Sequence, residues 1–187
     1  MVKVTKLEAG CRQLRAAVRM FFDNEDVLAV HTLSRAAFRV LFDLTKEGEQ
    51  KTALEAHIKK VGEKRFNEVT NFLKHADRDP DGEIDDNFEL STEAAIGMAA
   101  ALCVYHTKEL TPEVKAFQLW ARMMRPQYFD LPDQLSKELN EWRAASKTDP
   151  DNIKTQANSR LFGKNLIHWI RLRESKLHQT KGQAEAT

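Results

Sequence analysis

The sequence predicts an all-α fold, a single-domain bundle of about seven to eight helices. Apolar residues recur at three- and four-residue intervals along most of the chain, which is the period of an amphipathic helix. The alternation of apolar and polar residues that is typical of strands is nowhere sustained, and seven glycines and five prolines leave few breaks. With 187 residues, 42% of them hydrophobic, the chain is long enough to bury a core as one medium domain.

The first half of the chain contains four predicted helices before an acidic loop. The first runs from about Leu7 to Phe22, where apolar residues line one face. The second, Val27 to Thr45, is apolar around much of its circumference, which indicates a buried helix. A shorter pair, Lys51 to Val61 and Lys64 to Ala76, is broken at Gly62.

Capping signals mark the starts of the next two helices. Ser91 or Thr92 is predicted to cap a strongly apolar fifth helix, Glu93 to His106. Thr111 supplies a capping hydroxyl ahead of a proline and an acid, and the sixth helix then reaches Met124. We expect the second and fifth helices to lie at the centre of the bundle.

The last third of the chain is predicted to contain two more helices and a tail. One helix follows Pro132 and ends near Ala145, and a long final helix covers roughly Lys154 to Leu177. The polar residues 179–187 form a predicted disordered tail, so the helical domain spans residues 1–178.

Composition and the N-terminal segment limit the classes of function. The formal net charge of +1 gives no whole-chain argument for binding nucleic acid or an anionic membrane. The N-terminus lacks the pattern of a signal peptide, and the longest apolar run, Ala94 to Tyr105, is too short to span a bilayer. We therefore expect a cytoplasmic protein with no membrane partner, in which Cys11 and Cys103 are buried thiols rather than a disulfide.

Basic residues are concentrated on two predicted helices, the first and the last. Basic stripes can follow a phosphate backbone, although they are also common as the solvated face of an amphipathic helix. The candidate nucleic-acid-binding residues are Arg12, Arg15 and Arg19 on the first helix, and Lys164, Arg171 and Arg173 on the last.

The loop from Asp77 to Glu89 has part of the pattern of a calcium-binding EF-hand loop. Acidic residues alternate along it, and Gly82 stands at the position of the sharp turn. The twelfth position, which should be a bidentate glutamate, is Phe88. The loop is thus either a solvated acidic turn or a site for Ca²⁺, the one candidate cofactor. Its candidate metal ligands are Asp77, Asp79, Asp81 and Asp85.

Two further groups of polar residues are candidate site residues. Asn71, Lys74 and His75 share one helical face and together could contact a phosphate or act on a ribose hydroxyl. His31, one turn before Arg35 on the second helix, is either a hydrogen-bonded structural residue or part of a polar pocket with Arg35, Asn71 and His75. The pocket requires the second and fourth helices to be neighbours.

From Lys6 to Glu93, the chain resembles a family of uncharacterised bacterial helical proteins. Its members carry a His-Thr-Leu segment, here residues 31–33, and a Phe-Lys-His-Ala-Asp-Arg-Asp-Pro-Asp segment, here residues 73–81 with leucine at the first position. This resemblance brings no activity with it.

More remotely, the chain resembles HEPN domains, small helical bundles that often dimerise and often cleave RNA with an arginine and a histidine of one helix. Their Arg-Asn-x-x-x-His pattern aligns with residues 70–75, where Thr70 replaces the arginine. The resemblance implies an RNA-binding module that is catalytically weakened, because threonine cannot stabilise phosphate charge as a cation does. The candidate catalytic residues are His75, Asn71 and Lys74.

The chain lacks a phosphate-binding glycine loop, a Cys-x-x-Cys pair, a His-Glu-x-x-His motif and a nucleophile elbow, which argues against the common nucleotide hydrolases and zinc proteases. Three hypotheses remain. We favour a HEPN-like module that binds RNA or another nucleic acid. The alternatives are a non-enzymatic interaction protein, as a homo-oligomer or with a protein partner, and a calcium-binding protein.

Overall fold

A computed structural model describes residues 3–75, 77–85, 88–125, 137, 140–141 and 156–184. Within these residues the chain forms seven helices and no strand, which confirms the all-α prediction. The helix predicted to end near Ala145 lies almost wholly outside the described residues. The seven helices are α1 (Lys6–Phe22), α2 (Val27–Leu44), α3 (Glu49–Val61), α4 (Glu63–Lys74), α5 (Glu89–Thr107), α6 (Pro112–Met124) and α7 (Gln156–Ala184).

The start of α5 differs from the prediction. The helix begins at Glu89, with Phe88 at the N-cap position. The hydroxyls of Ser91 and Thr92 donate to the carbonyl oxygen of Phe88, at 2.8 and 3.1 Å, instead of accepting from a free backbone N–H. The prediction that one of them caps the helix was wrong because a hydroxyl in the first turn can also bond backward to a carbonyl.

The starts and ends of the last two helices also refine the prediction. Thr111 is the N-cap residue of α6, but its hydroxyl makes no capping hydrogen bond. The proline that follows fixes the backbone for the first turn, so α6 begins where predicted without that bond. The last helix, α7, continues past the predicted end at Leu177 to Ala184. The disorder predicted for residues 179–187 stays a prediction.

The chain divides into two compact units. Unit 1 comprises Met1–Ala17 and Glu25–Glu109, and unit 2 comprises Val18–Asn24 and Leu110–Thr187, so the boundary falls inside α1. The predicted single domain over residues 1–178 stays a prediction. No helix in the described part of the chain combines the length and apolarity that a bilayer span requires.

The core of unit 1 lies where α2 packs against α5, as predicted for these two helices. Gly10 brings α1 close to α2, since a Cβ at this position would lie only 3.1 Å from Leu41 Cγ. Burial of the apolar faces of α2 and α5 is the main stabilising contribution here. In contrast, α3 contributes no buried side chain and packs against α4. The buried apolar residues of α2 and α5 include Val30, Ala37, Phe38, Leu41, Ala95, Ile96, Ala99 and Leu102.

The core of unit 2 is an aromatic cluster at the end of α1 and on α6. The rings of Phe21 and Trp120 meet edge to face, with centroids 4.9 Å apart. Trp120 Nε1 donates to the carbonyl oxygen of Ser159 at 2.9 Å, which ties α6 to α7. A Cβ at Gly163 would overlap the ring of Phe22, so glycine allows α7 to approach the end of α1.

Candidate nucleic-acid interface

Arg35 connects α2 to α4. Its Nη2 donates to Asn67 Oδ1 at 2.7 Å, and its Nε donates to Thr70 Oγ1 at 3.2 Å. The guanidinium also lies over the ring of Phe66, 3.8 Å from its centroid. The second and fourth helices are therefore neighbours, as the pocket hypothesis requires. Thr70 is the residue that replaces arginine in the HEPN-like pattern, so a cation from α2 lies next to that position.

The charge of Arg35 is buried without an anion. The residue is 9% exposed, and within the part of the chain that the structure describes no carboxylate contacts its guanidinium. Burial, together with the charge of Arg39, lowers the pKa of Arg35 to about 10. Among the described residues, nothing accepts a hydrogen bond from its Nη1 atom, which is also buried. Aromatic contacts and neutral acceptors thus replace an ion pair, at a cost in desolvation.

His31 is another buried polar residue of α2. Its Nδ1 lies 3.0 Å from Thr92 Oγ1. Because the Thr92 hydroxyl donates to the carbonyl of Phe88, its oxygen accepts from an Nδ1–H group, which leaves Nε2 as an unprotonated acceptor. Burial, with a smaller effect of Arg35, lowers the pKa of His31 to about 4. Within the described residues Nε2 has no hydrogen-bond partner.

The predicted catalytic residues lie at the end of α4. His75 is the C-cap residue, half-buried, and its backbone N–H donates to the carbonyl of Asn71 at 3.1 Å. The side chains of Asn71 and Lys74 are exposed. Within the described residues no side-chain hydrogen bond joins His75 or Asn71 to Arg35, which bonds to α4 at Asn67 and Thr70. The structure brings α4 next to Arg35 and leaves Asn71 and Lys74 exposed, where a ligand can reach them, with His75 only partly accessible.

Most of the predicted nucleic-acid-binding cations are engaged in ion pairs. Five of the six contact a carboxylate, and the sixth, Arg15, is half-buried. Their role in binding nucleic acid stays a prediction, but a phosphate would have to compete with a carboxylate at each of the five. The pairs are Arg12–Glu8, Arg19–Glu113 (3.0 Å), Arg171–Glu113 (2.6 Å), Lys164–Asp23 (2.6 Å) and Arg173–Glu141 (2.8 Å).

A second group of cations, which the sequence analysis missed, surrounds the turn between α3 and α4. We name it the turn cluster: Lys59, Lys60, Lys64 and Arg65. Gly62 is both the C-cap residue of α3 and the N-cap residue of α4. Its φ of +90°, which glycine adopts readily, allows this sharp turn between the two helices. All four side chains are exposed, and none makes an ion pair with a described residue. The signal was present in the sequence, since residues 59–65 carry four cations and one acid.

Most residues of the acidic loop between Asp77 and Asp85 are exposed, as predicted. Gly82 N–H donates to the carbonyl of Asp79 at 3.2 Å, closing a turn, and the Asp79 carboxylate folds over Gly82. Among the described residues, no three acidic, histidine or cysteine side chains are placed to hold one metal ion. The predicted ligands therefore do not converge within the described residues, and Ca²⁺ binding has no support from the geometry. The four ligands, Asp77, Asp79, Asp81 and Asp85, are each exposed.

The geometry therefore separates two kinds of surface. In one, cations are neutralised by carboxylates, and in the other, at the turn cluster, the cations face solvent.

No protein-family model, no curated protein and no solved structure matches this chain.

Proposed function

We propose that the protein is a HEPN-like helical module that binds RNA or another nucleic acid through the turn cluster of α3 and α4. The observation that supports this proposal is the absence of ion pairs at Lys59, Lys60, Lys64 and Arg65 among the described residues, on a surface where all four are exposed. Binding at such a surface gains from the release of counterions, and no carboxylate of the described residues has to be displaced first.

The start of α4 at this turn also favours an anion. Lys59 and Lys60 lie in the last turn of α3, where a cation is stabilised by the partial negative charge of the helix end. Lys64 and Arg65 lie in the first turn of α4, where the helix end is partly positive and adds to their repulsion. A phosphate between the two pairs relieves that repulsion. Lys74, at the other end of α4, is also exposed.

Arg35 contributes to this surface indirectly. Its bonds to Asn67 and Thr70 fix α4 against α2, and both acceptors are used by Nε and Nη2. The guanidinium is thus held next to Thr70 but is not directed to solvent, in contrast to a cation that stabilises phosphate charge during cleavage. We therefore propose a module in which cleavage is weak or lost and binding is retained.

Binding of a fluorescent single-stranded RNA, followed by anisotropy at several salt concentrations, tests the proposal. The test variant is Lys59→Gln with Lys60→Gln, and the matched control is Arg12→Gln with Arg171→Gln, which removes the same charge from paired cations. Loss of two phosphate contacts lowers the salt slope by about 1.4 and the affinity roughly 25-fold at 0.1 M salt. We expect this loss in the test variant and a change of less than about 2-fold in the control.

Equal losses in the two variants would show that binding is a property of net charge rather than of the turn cluster. If the RNA stays free at low salt, the alternative, a non-enzymatic module that binds itself or a protein partner, becomes the better hypothesis. The same samples are analysed for cleavage. We expect intact RNA, whereas cleavage that His75→Ala abolishes would make the protein an enzyme despite Thr70.

A further inference from the structure

Two thiols meet inside unit 1. Cys11 of α1 and Cys103 of α5 are both free cysteines, and their Sγ atoms are 2.7 Å apart. Cys11 is 8% exposed and Cys103 is 2% exposed. The two residues are 92 positions apart in the chain, so the fold alone brings them together.

The separation of the two sulfurs is close to that of a covalent bond. A disulfide has its sulfurs about 2.05 Å apart, so closure requires an approach of roughly 0.7 Å, within the reach of side-chain rotation in a packed core. A thiol is in addition a weak hydrogen-bond donor, so the reduced pair gains little from this contact. We propose that Cys11 and Cys103 form a reversible intramolecular disulfide that links α1 to α5.

The oxidant required is a low-molecular-weight disulfide such as oxidised glutathione. The thiolate of Cys11, the more exposed residue, attacks one glutathione sulfur, the glutathione S–S bond breaks, and one glutathione leaves as a thiol. Cys103 then loses its proton and attacks the Cys11 sulfur of the mixed disulfide, which releases the second glutathione. Two protein thiols are oxidised and one glutathione disulfide is reduced to two thiols, so protons and electrons balance.

The surroundings of Cys103 indicate the order of these two steps. Burial, with the hydrogen bond to Cys11, raises the pKa of the Cys103 thiol to about 12, while Arg15 and Thr107 act in the opposite direction. A thiol with a raised pKa is mostly protonated at neutral pH and is a poor nucleophile in that form, so Cys103 acts second. Once Cys11 carries a glutathione, its thiol no longer forms a hydrogen bond with Cys103, and one cause of the raised pKa is removed.

The experiment uses the full chain in glutathione buffers of defined ratio, followed by acid quench, unfolding, alkylation and intact-mass measurement. We expect the reduced protein to take two alkyl groups. After oxidation it takes none, its mass is lower by two hydrogens, and dithiothreitol restores both thiols. Because the bond closes a loop of this length, the melting temperature of the oxidised protein rises by roughly 10 °C.

Two variants keep the test decisive. Cys103→Ala stops at a mixed disulfide on Cys11 and shows no rise in melting temperature, and Cys11→Ala leaves Cys103 largely unreacted while folded. The proposal is overturned if the wild-type protein still takes two alkyl groups after prolonged oxidation, or if it accumulates glutathione on both cysteines without closing the bond. Neither outcome depends on nucleic-acid binding, since the reaction is followed without RNA.

Discussion

Two groups of cations differ in their ion pairing: Arg19 and Arg171 of unit 2 contact a carboxylate, whereas the turn cluster of unit 1 contacts none among the described residues. In unit 2, Glu113 is 4% exposed and accepts hydrogen bonds from Arg19 and Arg171, at 3.0 and 2.6 Å. At the turn between α3 and α4, Lys59 and Lys64 are exposed and make no ion pair with a described residue. Both regions carry basic residues in the sequence, but only at the turn cluster do the cations compared here lack a carboxylate partner among the described residues.

The difference shows that a run of basic residues is not itself evidence for a nucleic-acid surface. A cation that already contacts a carboxylate gains little from a phosphate, because the carboxylate must first be released. The proposed binding surface therefore consists of cations that pair with no carboxylate of the described residues. Three predictions compare the contributions of buried polar groups and exposed cations to stability, from the largest expected effect to the smallest.

The largest effect is expected at His31, a buried group of unit 1 whose Nε2 has no hydrogen-bond partner among the described residues. Its pKa is about 4 in the folded protein, below the ordinary value of 6.5. As the pH falls, His31 therefore takes up a proton at a higher pH in the unfolded chain than in the folded protein. The stabilisation that neutral His31 contributes is complete above pH 6.5. It is lost progressively between pH 6.5 and 4, and the total loss is about 3 kcal/mol.

Urea unfolding at pH 7.5 and pH 4.5 measures this loss. His31→Asn keeps a donor for Thr92 but cannot take up a proton, so its stability should change less over the same range. His57→Asn, at an exposed position of α3, is the matched control and should behave as the wild type. Equal losses in wild type and His31→Asn would contradict the assignment of a neutral, buried imidazole.

An intermediate effect is expected at Glu113. Burial alone would raise the pKa of this carboxyl, but its backbone hydrogen bond and the contacts with Arg19 and Arg171 outweigh burial and lower it. Because both arginines are about half exposed, we expect Glu113→Gln to cost only about 1 to 2 kcal/mol at pH 7.

The pH dependence follows from the sign of the shift. The stabilisation is complete above the ordinary pKa of 4.5 and is lost as the pH falls through the lower pKa of the folded protein. Denaturant unfolding of the wild type and Glu113→Gln should therefore converge in strong acid. Glu109→Gln, at an exposed glutamate, provides the control. If Glu113→Gln lost as little stability as Glu109→Gln, the ion pairs of Glu113 with its two arginines would not be stabilising.

The smallest effect is expected at the turn cluster. Lys59→Gln with Lys60→Gln removes no described contact, so the free energy of unfolding should stay within about 0.5 kcal/mol of the wild type. Arg12→Gln, which breaks an exposed pair with Glu8 one turn away, should lose a similarly small amount. Thermal unfolding of both variants measures these losses. A loss of more than about 1 kcal/mol in the free energy of unfolding of the Lys59→Gln, Lys60→Gln variant would reveal a structural role for these lysines.

Helical periodicity was sufficient to predict the fold class and most helix positions. The end of α1 at Phe22 and the break at Gly62 were both predicted, because apolar spacing and a glycine between two amphipathic segments are local signals. The cap of α5 was not, because a hydroxyl near a helix start can serve either as a cap or as a donor to a carbonyl, and only the backbone decides between them.

The site was harder to predict because its properties depend on contacts between distant residues. Arg35 and His31 could be identified on one helix, but the bonds from Arg35 to Asn67 and from His31 to Thr92 join residues 32 and 61 positions apart. The pairing of Arg171 with Glu113, 58 positions away, is equally invisible in the sequence. The turn cluster could have been found as a local run of charge, and only the structure shows that these cations form no ion pair with a described residue.

The central claim, that RNA contacts the turn cluster and not the paired cations, is tested most directly by lysine footprinting. The wild-type protein is acetylated with and without a saturating single-stranded RNA at low salt, and the rate at each lysine is read by peptide mass spectrometry. We predict at least a roughly 5-fold slower reaction at Lys59, Lys60 and Lys64 and less than a 2-fold change at Lys164, which is paired with Asp23. Protection of Lys164 with no protection of the turn cluster would contradict the account.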